Sequence, residues 1–247
     1  MWRVLVLAAL AGCGRMSFDP IAIGSSANDA HNPDTPGTPN VGRGMVVMPP
    51  FVTTPTITAQ LDGPTVGHLL VAIAYWNDAT HAVSINDSNG QNWTGLQRQS
   101  IPTGCNANVG TNIQMFYVTV TAGGPTDVTV TQSAGNSPLG LVVVEYSGVS
   151  TLDASSGLAA PSASNAINAG TMNTTGYDLI VAGFHDSVGS GQMMPGPNLS
   201  VFQYDLVSYA MFLDITVGPG AQTITGTLPA GTSDACWVGV SAAFHAP

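Results

Sequence analysis

The sequence predicts an all-β protein, an antiparallel β-sandwich of jelly-roll type. Three observations lead there. Beyond residue 43 the chain is a succession of apolar or alternating runs rich in Val, Ile, Thr and aromatic residues, such as "VGHLLVAIAYW" (66–76) and "LGLVVVEYSGV" (139–149). Gly, Pro and Asn interrupt these runs at short intervals, and no segment sustains a helical period over three turns. The second half also echoes the first, which points to an internal duplication.

The elements follow in chain order. Residues 1–12 read as a signal peptide: Arg3 supplies the positive start, Val4–Leu10 the short apolar stretch, and Ala11 and Gly12 the small residues before a cleavage point. The apolar run is about half of what a membrane-spanning helix needs. Residues 13–42 carry four prolines and many Gly, Asn, Ser and Asp residues without a sustained period. Such a composition buries too little apolar area to offset the ordering of the chain. It reads as a flexible linker of roughly 30 Å root-mean-square span. Residues 43–247 form one β-sandwich domain. After 66–76, strands are expected over 112–122, 126–133 and 139–149, then over 177–185, 209–217, 221–228 and 236–245.

The echo sets Met115-Phe116 against Met211-Phe212, Val128 against Ile224, and Val142 and Val144 against Val238 and Val240, all at one offset. "LLVA" (69–72) matches "LIVA" (179–182) at another. Two halves packed face to face would give the sandwich. The excursions 77–111 and 186–208 differ most, and loops on a rigid scaffold commonly carry function.

Leu10-Ala11-Gly12-Cys13 resembles the lipobox of bacterial lipoproteins. The resemblance implies that Cys13 is the lipidation site, acylated with diacylglycerol and a fatty acid such as palmitate after cleavage before it. Gly14 stands where that family's inner-membrane retention signal has Asp, which implies the outer membrane or cell surface. Two or three acyl chains suffice for stable anchoring. The words "GHLLVA", "DSNGQNWT" and "VVVEYSGV" resemble a β-sandwich module that recurs in secreted and surface proteins of bacteria, with Gln91 as an extra residue in the middle word. This second resemblance implies fold and surface context and no activity.

Composition agrees with an exported protein. Only 7% of residues are charged, against roughly 25% in an ordinary globular chain, and lysine is absent. A net charge of −10 excludes nucleic acid as a partner, since phosphate binding needs a basic footprint. It also denies anionic headgroups any electrostatic pull, so contact with the membrane would run through the lipid. In an oxidising envelope Cys105 and Cys236 are expected to form a disulfide bond, with two buried thiols as the other possibility.

Candidate functional residues are few. Glu145 is the only glutamate. By strand alternation it shares a face with Leu141 and Val143, where it would either hold backbone N–H groups or meet a ligand. Trp76, Trp93 and Tyr146 lie near strand ends, where rings can stack on sugars. Asp87, Asn89 and Gln91 alternate like the start of a calcium loop without its closing Glu, and an Asn89-Gly90 hairpin turn accounts for the same residues. No nucleophile elbow or paired-His zinc motif is present. The expectation is a non-enzymatic, lipid-anchored binding or adhesion module for a glycan or an envelope protein, with no obligate cofactor. Two other readings stay open: a polysaccharide-active enzyme using Glu145 with an aspartate, and a purely structural envelope protein.

Overall fold

A computed structural model describes residues 40–78, 80–101, 110–160, 165–186, 191–206, 210–229 and 236–246. Cys13, the signal peptide and nearly all of the linker lie outside these residues, as does Cys105. One compact unit spans 39–247.

The first half contributes β1 (Gly42–Val47), β2 (Thr56–Leu61), β3 (Leu69–Trp76), β4 (Val83–Asp87), β5 (Thr94–Gly95), β6 (Gln99–Ile101), β7 (Thr111–Thr119), β8 (Thr126–Gln132) and β9 (Leu139–Ser147). The second contributes β10 (Leu152–Ala160), β11 (Ala166–Thr174), β12 (Asp178–Asp186), β13 (Met194–Pro195), β14 (Ser200–Asp205), β15 (Ala210–Val217), β16 (Gly220–Thr227) and β17 (Trp237–His245). In the first half the order β1-β9-β3-β7-β5 makes one sheet, with β6 also on β7, and β2-β8-β4 makes another. The second half repeats this as β10-β17-β12-β15-β14 and β11-β16-β13. The strand pairings described are antiparallel, and the fold is a β-sandwich, as the sequence predicts.

The layering is richer than the two halves face to face that the sequence led us to expect. Alternate residues of β3 go to opposite cores: Leu69, Val71, Ile73 and Tyr75 meet Val181, Phe212 and Val240 of the other half. Leu70, Ala72, Ala74 and Trp76 meet Ile57, Val128 and Val130 of the small sheet. A matching core lies between the two sheets of the second half. Each half is thus itself a sandwich, and the domain stacks four layers. This explains the uninterrupted apolar runs. Strands of the two central sheets are covered on both faces, so β3 and β9 read "LLVAIAYW" and "LGLVVVEYS"; the outer β2, with one dry face, alternates as "TITAQL".

The echo is real in strand order but slips at one pair. Val142 and Val144 occupy the central core together with Val238 and Val240, as their alignment requires. Met115 and Phe212 face that core, whereas Phe116 and Met211 face the outer ones. A shift of one residue reverses every side chain in a strand, so the structural partner of Met115 is Phe212. β1 begins at Gly42, and Val41 packs on the central core, so the last residues read as linker belong to the domain.

Aromatic rings concentrate where the central sheets meet. Tyr75 lies 5.4 Å from Phe212 and 6.1 Å from Phe51, ring centre to ring centre. Its ring rests over Gly140, its partner on β9, where a Cβ would come within 2.1 Å of the tyrosine Cζ. Cys236 is buried in the same core. Because Cys105 is not described, the bridge expected between them is not seen among the described residues.

Candidate binding cavity

A cavity of about 350 Å³ opens at one end of the seam between the halves. β1 and β9 supply Arg43 and Tyr146, which sit opposite each other in the ladder, and a β-bulge just after Arg43 turns the strand there. β15 supplies Asp214. Ala210, Phe212 and Asp214 alternate toward the central core, so the aspartate is the one charged group in that row. Asn198 and Ser200 come from the second excursion, at the start of β14.

Three side chains tie the halves together here. Arg43 Nη1 donates to both oxygens of Asp214, at 3.1 and 2.9 Å. The Tyr146 hydroxyl donates to Asp214 Oδ2 at 2.9 Å. The guanidinium also lies 5.7 Å from the centre of the Phe202 ring. Asp214 is nearly buried, whereas the Arg43 side chain keeps 37% of its surface exposed. Burial, and then the negative charge of Asp214, push the Tyr146 phenol well above its ordinary range, so it stays a proton donor. Among the described residues, Nη2 and Nε of Arg43 have no protein acceptor. Arg43 and Arg98 are the two cationic Lys or Arg residues past residue 15. Arg98 is committed elsewhere, to the His81 carbonyl and the face of Trp76.

Chemically, the cavity joins apolar walls of Val41, Leu179 and Ile215 to the convergent polar groups of Arg43, Asn198, Ser200 and Thr216. That mixture is typical of small-ligand sites. The Arg–Asp pair sums to zero charge. The Asp214 carboxylate accepts three hydrogen bonds, and the Tyr146 phenol is held in its protonated form.

The other sequence candidates lie elsewhere. Trp76 has no exposed surface; its Nε1 donates to the His81 carbonyl and its ring fills the outer core, which corrects its reading as a stacking platform. Trp93 is half-buried on the same core and donates to Asp87 Oδ2 at 2.6 Å. Asp87 also accepts the backbone N–H groups of Asn89 and Gln91, at 2.8 and 3.2 Å. The alternating polar residues that resembled a calcium loop therefore staple the hairpin, and the carboxylate is spent on N–H donors. Glu145 is buried, accepting the Thr65 N–H at 2.8 Å and facing His68 Nδ1 at 2.7 Å. It holds the turn before β3, the structural one of its two expected roles, with the Thr65 N–H as the backbone donor. Of the four residues singled out, only Tyr146 lines the cavity.

A Ser–His–Asp set occurs at the opposite end of β3 but is not wired for nucleophilic attack. Ser137 Oγ and His81 Nδ1 both lie 2.5 Å from the same Asp78 oxygen, so the serine is bonded to the carboxylate and not to the imidazole. Burial raises the Asp78 pKa, but hydrogen bonds from Ser137, Thr80 and His81 outweigh it and hold the group below the usual carboxylate range.

Sequence reasoning missed Arg43 and Asp214. The signal for Asp214 was available: one acid at a core-facing position of the apolar run "AMFLDITV". For Arg43 it was the scarcity of cations. Comparison with protein families, with curated proteins and with solved structures finds no match to this chain.

Proposed function

We propose that the chain is a lipid-anchored, surface-displayed binding module whose seam cavity takes a neutral, hydroxyl-rich ligand, a glycan. The observation that carries this reading is the Arg43–Asp214–Tyr146 set inside the cavity. A charge-balanced pair favours an uncharged ligand. The uncommitted guanidinium edge and the side chains of Asn198, Ser200 and Thr216 offer hydrogen-bond donors and acceptors in one cavity, and the apolar walls suit the C–H faces of a pyranose ring. The second excursion contributes two of these residues, in keeping with function carried on loops of a rigid sandwich.

Anchoring rests on Leu10-Ala11-Gly12-Cys13 and on the proline-rich segment after it. Export to the outer membrane or cell surface is part of the same reading. Replacing Cys13 with alanine is expected to release the chain from the membrane fraction; a Cys13→Ala protein that still pellets with membranes would count against the anchor.

The direct test of binding is a glycan array probed with the full chain in detergent, with and without calcium. A specific hit on neutral glycans that is lost in Tyr146→Phe or Ser200→Ala supports the cavity. A hit that survives both variants moves the site elsewhere. A blank array from folded protein overturns the glycan and leaves an envelope protein as ligand, to be sought by cross-linking in whole cells.

A further inference from the structure

At the end of the second half's central sheet, three strand ends and one turn bring together Asp178, Asp153 and His245. Asp178 opens β12, and its side chain has no exposed surface. Among the described residues, neither of its oxygens accepts a hydrogen bond from an N–H or hydroxyl donor, and His245 Nδ1 on β17, an ion-pair partner when protonated, stands 3.4 Å away. Asp153 sits at a β-bulge of β10, where the ladder to β17 shifts between Leu152 and Ala154. A bulge re-aims a side chain, and here the carboxylate is turned onto the β11–β12 turn. Its Oδ2 accepts the Thr175 N–H at 2.6 Å and its Oδ1 the Thr175 hydroxyl at 2.7 Å. It also lies within hydrogen-bonding reach of Asp178. Gly176 leaves room for the imidazole, since a Cβ there would come within 2.4 Å of His245 Cε1. Asp153 from β10 and His245 from β17 are the titratable groups that meet Asp178.

Two carboxyl groups this close, one of them buried, do not both ionise at little cost. We propose that Asp153 and Asp178 share a single proton and act as a pH-sensitive latch that pins the start of β10, the edge strand that links the two halves, to β12. In the latched state the Asp178 carboxyl donates its O–H to the Asp153 carboxylate, which Thr175 keeps ionised. Burial first, and then Asp153, raise the Asp178 pKa, while the two Thr175 donors lower that of Asp153. The sign follows. A carboxyl whose pKa is raised by folding contributes most below its unfolded value, and that contribution is lost as pH rises through the folded value. The latch therefore closes in mildly acidic surroundings and loosens toward alkaline pH.

The test is thermal unfolding and hydrogen exchange of the full chain from pH 5 to pH 8.5, which stays above the range where Asp78 protonates. In the wild type, Tm is expected to fall as pH rises, with faster amide exchange over residues 151–156. Asp178→Asn keeps a donor toward Asp153 without a charge. It should be flatter with pH and more stable than wild type at pH 8.5. An unchanged pH slope in Asp178→Asn, or a lower Tm than wild type at pH 8.5, overturns the latch. Should that variant fail to fold, carboxyl carbon NMR of the wild type decides: titration of Asp178 above the ordinary aspartate range supports the shared proton, and titration within or below it overturns it.

Discussion

Replacing Arg43 with methionine is expected to destabilise the domain by about 2–3 kcal/mol and to abolish ligand binding in the seam cavity. The stability loss comes from what is left behind. Asp214 would keep its place in the central core with the Tyr146 hydroxyl as its only remaining donor among those described. An unpaired buried carboxylate is costly, while a buried pair is close to neutral against an apolar replacement. The figure lies below the usual cost of breaking a fully buried pair because the Arg43 side chain is partly in water. In a domain of this size it corresponds to a fall in Tm of roughly 4–12 °C. Two controls separate the causes. Arg43→Met combined with Asp214→Leu should recover most of the stability without recovering binding. Arg43→Lys should keep much of the stability and lose affinity, because lysine lacks the planar second edge. A single Arg43→Met variant that melts with the wild type would mean that the pair does not hold the halves together.

Phe212→Ala is expected to cost more, about 3–5 kcal/mol by equilibrium denaturation. Phe212 has no exposed surface, and it stacks on Phe202 of its own half and meets Tyr75 of the other at a tilt. Its removal opens a void between the two central sheets, where neither sheet can close in without moving the other. The loss should also fall on both halves at once, so tryptophan fluorescence from Trp76 and from Trp237, which lie in different halves, should report one shared transition at a lower midpoint. Two separated transitions would show that the halves unfold independently.

The central strands were legible in the sequence because both of their faces are dry. Leu69–Trp76 and Leu139–Ser147 carry apolar side chains at almost every position. Among the strands that escaped notice, β10 and β11 are the ones with little β preference. β10 reads "LDASSGLAA" and β11 reads "AINAGTMNT", where Ala, Ser, Gly and Asn are held in the sheet by their neighbours and not by propensity. The four-layer stack was also hidden. Periodicity shows that a strand is covered on both sides, but not by which sheets. The cavity was the least legible part. Tyr146 was found as an aromatic near a strand end, but its partners Arg43 and Asp214 stand 103 and 68 residues away in the chain, in strands where each is a lone charge. Trp76 misled for the converse reason: a ring at a strand end looks exposed unless the loop that covers it is known. Here that loop is pinned by Asp78, His81 and Arg98.

The repeated strand order has a consequence for assembly. Each half ends in an apolar central face that only the other half covers, so one half made alone would expose that face to water. It would persist only by pairing with a second copy, in an equilibrium that dilution would dissolve. The short link from Val149 to Thr151 removes that dependence. It turns an encounter between two molecules into a fold within one, held at an effective concentration that dilution does not change. A chain cut within this link should stay associated at high concentration and come apart as it is diluted, and its loss of binding would track the loss of the seam.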